Sequence, residues 1–194
     1  MPRTYSYSAD FDTETEELFK SATFLGEGHN GIVYSLPGDK AIKILKEIKC
    51  CKEEGEILKR VNRSKFFPKF YKIGKFYIVR DEVRGERLDH YIKKNGFNYE
   101  ISQGLYQMIE EFYRLKFTKL DARCRDIYVT KSNRIMVIDP KQSYTKKVNF
   151  PRHLMKGLEK LGVLESFLED IEIIDKKIAK DWEKRYNQYL QNNV

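Results

Sequence analysis

The sequence of 194 residues contains few cysteines and no long apolar run. Its three cysteines, two of them adjacent at Cys50 and Cys51, match neither a disulfide framework nor the spacing of a zinc site, so we expect reduced thiols. No apolar stretch approaches the roughly 18 residues needed to cross a bilayer. Residues 1–19 lack the apolar segment of a secretory signal. We therefore expect a cytoplasmic protein without a membrane partner.

The net charge of +8 is unevenly distributed. Residues 41–75 carry 11 Lys and Arg against 4 Asp and Glu, whereas residues 1–24 carry 2 against 5. A basic segment attracts nucleic acid, phosphorylated ligands or acidic proteins, although charge alone favours a solvated face. No zinc-finger or RNA-binding signature accompanies the charge, so a nucleic-acid-binding module is the least favoured interpretation.

The first half of the chain is predicted to be rich in β structure. Residues 31–36 (GIVYSL) and 40–45 (KAIKIL) are β-rich runs joined by a Pro-Gly-Asp turn. Apolar residues at helical spacing predict a helix in the segment that begins at Cys50. Two further strands are expected within residues 69–83.

The second half is predicted to be mainly helical. Asn98 is placed to cap a helix whose apolar residues share one face. Residues 127–130 and 134–138 flank Lys-Ser-Asn as a small hairpin. Residues 171–190 form an amphipathic tail whose apolar stripe is more typical of core packing than of a partner site.

A glycine-rich motif lies near the start of the chain. Residues 26–33, GEGHNGIV, fit G-x-G-x-x-G-x-V through Gly26, Gly28, Gly31 and Val33. The dinucleotide-binding form of this motif continues directly into a helix, whereas here it continues into a predicted hairpin. A glycine-rich hairpin can fold over the phosphates of a nucleotide because no Cβ blocks its backbone amides.

The next strand carries a lysine in the order that phosphate binding requires. On an alternating strand Ala41 and Lys43 face away from Ile42 and Ile44. Small Ala41 leaves room for a base beside Val33, and Lys43 is predicted to point at the phosphates.

The glycine hairpin followed by Lys43 resembles the protein-kinase-like fold. Within it, the chain is similar to the small atypical bacterial and archaeal serine/threonine kinases, which include the RIO-like and lipopolysaccharide-kinase-like proteins. The resemblance implies an α+β, two-lobed protein. We expect an N-terminal extension over residues 1–22, an N-lobe with a small antiparallel sheet over 23–84, and a reduced, mainly helical C-lobe over 85–194.

The resemblance also implies a glutamate partner for the strand lysine. Glu54 lies four residues before Leu58 and shares its inward helix face, whereas Glu53 and Glu56 fall away from that face. We therefore predict that Glu54 pairs with Lys43.

Residues 78–88 are similar to the last N-lobe strand and the hinge of the family. The resemblance implies that the carbonyl of Asp81 and the amide of Val83 contact the adenine edge. Arg80 falls at the back of the base pocket, where the family usually has an apolar residue.

Residues 120–130, LDARCRDIYVT, resemble the H-R-D-x-x-x-x-N catalytic loop and the strand that follows it. Alignment of Asp121 with the catalytic aspartate places Asp126 on the metal-binding asparagine and Asp139 on the D-F-G aspartate. The resemblance then implies that Arg123 steadies the γ-phosphate and that Tyr128 forms part of the adenine floor.

The loop departs from the family at residues tied to regulation. Lys119 and Leu120 replace the His and Arg of H-R-D, Pro140 replaces the Phe of D-F-G, and no A-P-E motif follows. These absences predict activity that does not wait for phosphorylation of an activation loop. The implied cofactors are ATP and Mg²⁺ or Mn²⁺, held by Asp126 and Asp139.

The expected function is ATP-dependent phosphoryl transfer to a serine or threonine hydroxyl of an unidentified protein substrate or of the chain itself. Two alternatives stay open. One is a pseudokinase, which is a nucleotide-binding scaffold without catalysis, and the residues at 80, 119, 126 and 140 favour it. The other is a kinase of small molecules or sugars, which shares the fold and the aspartates.

Overall fold

Alternating apolar residues produce a five-stranded antiparallel sheet in the first part of the chain, which a computed structural model describes over residues 9–192. Ile42 and Ile44 pack on one face with Tyr34, while Leu45 and Ile78 pack on the other. The alternation predicted for residues 40–45, in which Ile42 and Ile44 share one face, is therefore present. The strands, in the order β1-β2-β3-β5-β4, are β1 Thr23–Gly28, β2 Gly31–Leu36, β3 Lys40–Leu45, β4 Phe70–Ile73 and β5 Tyr77–Asp81.

One helix packs on each face of this sheet. Helix α1, Thr13–Phe19, starts after Asp12, whose carboxylate accepts a hydrogen bond from the Thr15 amide at 3.0 Å. Helix α2, Ile48–Arg60, buries Cys51 and Leu58 against the opposite face. The first eight residues of the expected N-terminal extension lie outside the described residues, and the rest of it packs against the sheet through Phe11 and Phe19.

The chain divides into two units, the first ending at Val83 and the second beginning at Arg84. The division lies one residue before the boundary expected from the sequence. Together the units form an α+β protein, which confirms the predicted class.

Up to residue 192, the second unit combines a small sheet with five α-helices. Its central helix is capped by Asn98, as predicted, because the Asn98 side chain accepts a hydrogen bond from the Ile101 amide at 3.0 Å. The three strands, in the order β6-β7-β8, are β6 Gly85–Arg87, β7 Ile127–Thr130 and β8 Ile135–Val137. The helices are α3 Leu88–Asn95, α4 Tyr99–Arg114, α5 Arg152–Lys160, α6 Leu164–Ile174 and α7 Lys176–Gln191.

The predicted amphipathic tail is divided between two helices. Asp175 separates them, and its carboxylate accepts hydrogen bonds from the Lys177 and Ile178 amides at 3.0 Å each. The most buried residues of the predicted stripe are Ile171, Trp182 and Tyr186, so the stripe is part of the core. None of the helices within residues 9–192 has both the length and the apolar character needed to cross a bilayer.

Candidate functional site

A buried ion pair joins β3 to α2 in the first unit. The Lys43 ammonium donates to both carboxylate oxygens of Glu54, at 2.8 and 2.6 Å. The Glu54 side chain is only 2% exposed, whereas Glu53 and Glu56 on the same helix are exposed. The predicted pairing of Lys43 with Glu54, rather than with its two neighbours, is therefore present.

The glycines of the β1–β2 hairpin fall into two kinds. A Cβ on Gly31 would lie 2.1 Å from the Ile44 carbonyl oxygen, so the packing of β2 on β3 requires glycine there. A Cβ on Gly26 or Gly28 would meet nothing within 4 Å. The packing of the first unit therefore does not explain these two glycines, and the space beside each of them is open to a ligand.

The face of the sheet that carries Lys43 also carries Val33, Ala41 and Arg80. Val33 is the cross-strand partner of Lys43, and Arg80 is the partner of Ala41. Arg80 is buried, and its guanidinium donates to the Asp81 carbonyl at 2.9 Å. The resemblance implies that this carbonyl contacts the edge of the adenine base. In this structure it already accepts one hydrogen bond, from Arg80.

Asp81 itself remains within β5 rather than in a free connecting segment. Its amide donates to the Lys69 carbonyl at 2.9 Å, and its carboxylate accepts from the Tyr71 hydroxyl at 2.7 Å. Val83, which was expected to offer its amide to the base, ends the first unit and is half-buried.

Two of the predicted acids lie side by side in the second unit. The β7–β8 hairpin pairs Ile127 with Val137, and the Ile138 amide donates to the Asp126 carbonyl at 3.0 Å. This register brings Asp126, before β7, next to Asp139, after β8. The two acids therefore share one end of the hairpin, although Asp139 follows Asp126 by thirteen positions in the sequence.

The environment of Asp126 makes ionisation of its carboxyl less favourable than that of an exposed aspartate. Burial raises the pKa of the Asp126 carboxyl, and the negative charge of Asp139 raises it further. The charges of Arg125, Arg123 and Lys119 act in the opposite direction without cancelling the rise. A divalent cation would relieve the repulsion between two such carboxylates.

Two lysines approach these acids. Lys141 contacts Asp139, with 2.7 Å between its ammonium and a carboxylate oxygen. Lys119 is half-buried and donates to the Lys141 carbonyl at 3.0 Å. Burial lowers the pKa of Lys119, while the charges of Asp121, Asp126 and Asp139 raise it. Lys119 therefore lies among all three predicted acids, and Lys141 contacts one of the two carboxylate oxygens of Asp139.

Asp121 is held differently from the other two acids. Its side chain has no exposed surface. One carboxylate oxygen accepts from the amides of His153 and Leu154, at 3.0 and 3.3 Å, and the other contacts His153 Nδ1 at 2.5 Å. The resemblance implies that Asp121 meets an attacking hydroxyl, but in this structure the start of α5 covers its carboxylate.

Arg123 and Tyr128 are both accessible. Arg123 is exposed and precedes the 3₁₀ turn Cys124–Asp126. Tyr128 pairs with Arg87 on β6 and is half-buried, on the face of the small sheet opposite buried Ile127 and Val129. The structure leaves both side chains able to meet a ligand of the second unit.

The donor set at Asp126 and Asp139 fits a magnesium ion that is also bound by phosphates. Within residues 9–192, no three Asp, Glu, His or Cys side chains form a group able to hold a metal ion. Mg²⁺ bound with a nucleotide needs only one or two protein carboxylates, because water and phosphate oxygens complete its coordination. Two adjacent carboxylates satisfy that requirement.

Sequence reasoning missed the contributions of His153, Lys119 and Lys141. The sequence draws attention to Lys119 only as a replacement for histidine, although its position two residues before Asp121 places a cation beside the acids. His153 lies 32 residues after Asp121, and no local pattern links the two residues.

A comparison with protein-family models and with curated protein sequences finds no match to this chain.

Proposed function

We propose that this protein is an ATP-dependent phosphotransferase that moves the γ-phosphate of ATP to a hydroxyl group, with serine or threonine of a protein as the expected acceptor. The observation that carries the proposal is the buried Lys43–Glu54 pair on the strand that follows the glycine hairpin. Phosphoryl transfer depends mainly on positioning and charge neutralisation, and a lysine held by a carboxylate provides a fixed cation for phosphate oxygens.

The pair could instead be structural, but that explanation is weaker. Removing two charges from water costs free energy that their attraction often fails to recover, so a buried ion pair is poor evidence for stabilisation. The open space around Gly26 and Gly28 supports a ligand-binding role, because packing gives no reason for either glycine.

The acids of the second unit supply the other requirement of the chemistry. Asp126 and Asp139 would hold Mg²⁺ or Mn²⁺, which neutralises phosphate charge when it is bound. Exposed Arg123 is two residues from Asp121 and three from Asp126 and would contact the transferred phosphate, since its planar guanidinium matches phosphate oxygens.

The test of nucleotide binding is a thermal shift. Saturating Mg·ATP is expected to raise the melting temperature of the wild type, because a ligand that binds the native state stabilises it. Lys43→Met should remove most of this rise. Lys46→Met replaces an exposed lysine just after the same strand and should retain the rise. An equal rise in both variants, or no rise in the wild type, contradicts the proposal.

A nucleotide-binding scaffold without catalysis is the second candidate, and the covered carboxylate of Asp121 favours it. This candidate predicts the same thermal shift but no transfer of label from γ-labelled ATP and no release of ADP. Transfer that depends on Asp139 excludes it.

A further inference from the structure

The buried carboxylate of Asp121 orients the ring of His153. An ionised carboxylate can only accept hydrogen bonds, so the Nδ1 atom 2.5 Å away must be the donor. The neutral ring therefore carries its hydrogen on Nδ1 and its free lone pair on Nε2. The His153 side chain is 28% exposed, and Nε2 makes no hydrogen bond to the described residues.

The helix that carries His153 is fixed against the loop that carries the acids. Asp121, at the start of this loop, accepts hydrogen bonds from two amides of α5. The Cys124 thiol points at the Leu154 carbonyl, with 3.8 Å between sulfur and oxygen. A Cβ on Gly157 would lie 2.4 Å from the Cys124 sulfur, so glycine permits the close contact. These contacts hold the imidazole beside the loop that leads to Asp126.

We propose that His153 is the proton acceptor of the phosphoryl-transfer reaction and that Asp121 is its positioning residue. The inference rests on the proposed function. The resemblance implies that Asp121 meets the attacking hydroxyl, but its carboxylate is covered in this structure. The exposed imidazole of His153 would accept the proton of that hydroxyl in its place.

The acceptor O–H bond breaks, and its proton moves to Nε2 of His153. The acceptor oxygen forms a bond to the γ-phosphorus of ATP as the bond from that phosphorus to the β–γ bridging oxygen breaks. ADP leaves with the electron pair. Asp121 stays ionised and stabilises the imidazolium, and water can replace the acceptor hydroxyl in a slow release of inorganic phosphate.

A purely structural role for the pair makes a different prediction. Helix α5 has Pro151 at its cap position, and no side chain of its own caps the first amides. Asp121 supplies the missing acceptor through one oxygen, and this contact does not involve the imidazole ring. If capping were the whole role, any residue at position 153 that preserves the fold would preserve turnover.

The test compares steady-state ADP release by the wild type, His153→Asn and His90→Asn with Mg·ATP. The asparagine amide can still donate to Asp121 but offers no basic nitrogen in place of Nε2. His90 is exposed on α3 and serves as the matched control. We expect His153→Asn to lower kcat about 10²- to 10⁴-fold, the usual contribution of a general base. Its KM for ATP and its thermal shift should be unchanged, and His90→Asn should match the wild type.

A second measurement guards against misfolding. Imidazole added to His153→Ala should restore part of the lost kcat, whereas a structural defect would not respond to it. Wild-type turnover that Asp139→Asn abolishes but His153→Asn leaves within about twofold overturns the role of His153 and leaves the proposed function standing. A thermal shift by Mg·ATP with no ADP release from the wild type overturns both.

Discussion

The Lys43 ammonium lies 2.8 and 2.6 Å from the two carboxylate oxygens of Glu54, and both side chains are almost completely buried. The Glu54 carboxylate compensates the Lys43 ammonium at this buried position. Loss of either partner would leave an uncompensated charge in the interior of the first unit.

The first prediction concerns the stability of this pair. Glu54→Ala should lower the free energy of unfolding by about 3–5 kcal/mol, because Lys43 is left buried without its partner. Combining Lys43→Met with Glu54→Leu should recover most of that loss and still abolish the thermal shift by Mg·ATP. Urea unfolding followed by circular dichroism measures the first effect, and Glu53→Ala on the exposed face is the control. Equal losses in Glu54→Ala and Glu53→Ala would contradict the assignment.

The second prediction separates the two kinds of glycine in the hairpin. Gly31→Ala should destabilise the protein by about 1–3 kcal/mol, as overpacking does, because the added Cβ collides with the Ile44 carbonyl. Gly28→Ala should change the free energy of unfolding by no more than about 1 kcal/mol.

Gly28→Ala should instead weaken nucleotide binding. If an amide of the hairpin contacts a phosphate, Gly28→Ala weakens ATP binding about tenfold, which corresponds to one hydrogen bond to a charged group. Calorimetric titration with Mg·ATP measures this change. Unchanged affinity in a stable Gly28→Ala variant would count against the role of the hairpin as a phosphate loop.

The third prediction concerns the thiols. Burial and the charge of Glu54 raise the pKa of Cys51 to about 11, and burial with the charge of Asp89 raises the pKa of Cys124 to about 12. Since the thiolate is the reactive form, neither cysteine should react readily at pH 8, and reaction should accelerate as the pH rises toward these values. Half-exposed Cys50 should react first.

An aromatic disulfide reagent checks this order. At pH 8 one thiol of the native protein should react rapidly and release one equivalent of the aromatic thiolate from the reagent. The Cys50→Ser substitution should remove this rapid phase. Unfolding of the wild type in guanidinium should make all three thiols reactive. Rapid reaction of two or three thiols in the native protein would show that α2 around Cys51, or the turn that contains Cys124, is packed less tightly than the structure indicates.

The fourth prediction addresses the metal ligands. Asp139→Asn should abolish the Mg²⁺ dependence of ATP binding, because the resemblance aligns Asp139 with the D-F-G aspartate, whereas it aligns Asp126 with an asparagine. Asp126→Asn should only weaken it, by about tenfold, since an amide oxygen remains a ligand and the repulsion between the two carboxylates is relieved. Both effects are measured by the Mg²⁺ concentration at which ATP gives half of its maximal thermal shift. The control is Asp39→Asn, in the exposed β2–β3 turn. A stronger effect at Asp126 than at Asp139 would reverse the assignment.

Local patterns were enough to predict the elements that hold the Lys43–Glu54 pair. Lys43 lies on an alternating strand and Glu54 on a helix eleven residues later, so strand period and helix face together select the partner. The hairpin at Asp126 and Asp139 was predictable for the same reason, because a short turn fixes the register that brings its ends together.

Elements decided by tertiary contact were not predicted. Strand β6, Gly85–Arg87, has only three residues, and α3 begins directly after it, so neither is long enough to show a period. The covering of Asp121 by His153 depends on how α5 packs against a loop about 30 residues earlier in the chain. The sequence places Asp121 correctly in its loop but contains no signal for what lies over its carboxylate.

The most direct test of the central claim is the transfer of label from γ-labelled Mg·ATP to protein. We predict incorporation by the wild type and by Asp39→Asn, and a loss of at least about 100-fold in Lys43→Met and in Asp139→Asn, the scale expected when charge stabilisation of the transferring phosphate is removed. Incorporation that persists in both variants, or a wild type that neither transfers label nor releases ADP, would contradict the assignment of this protein as a phosphotransferase.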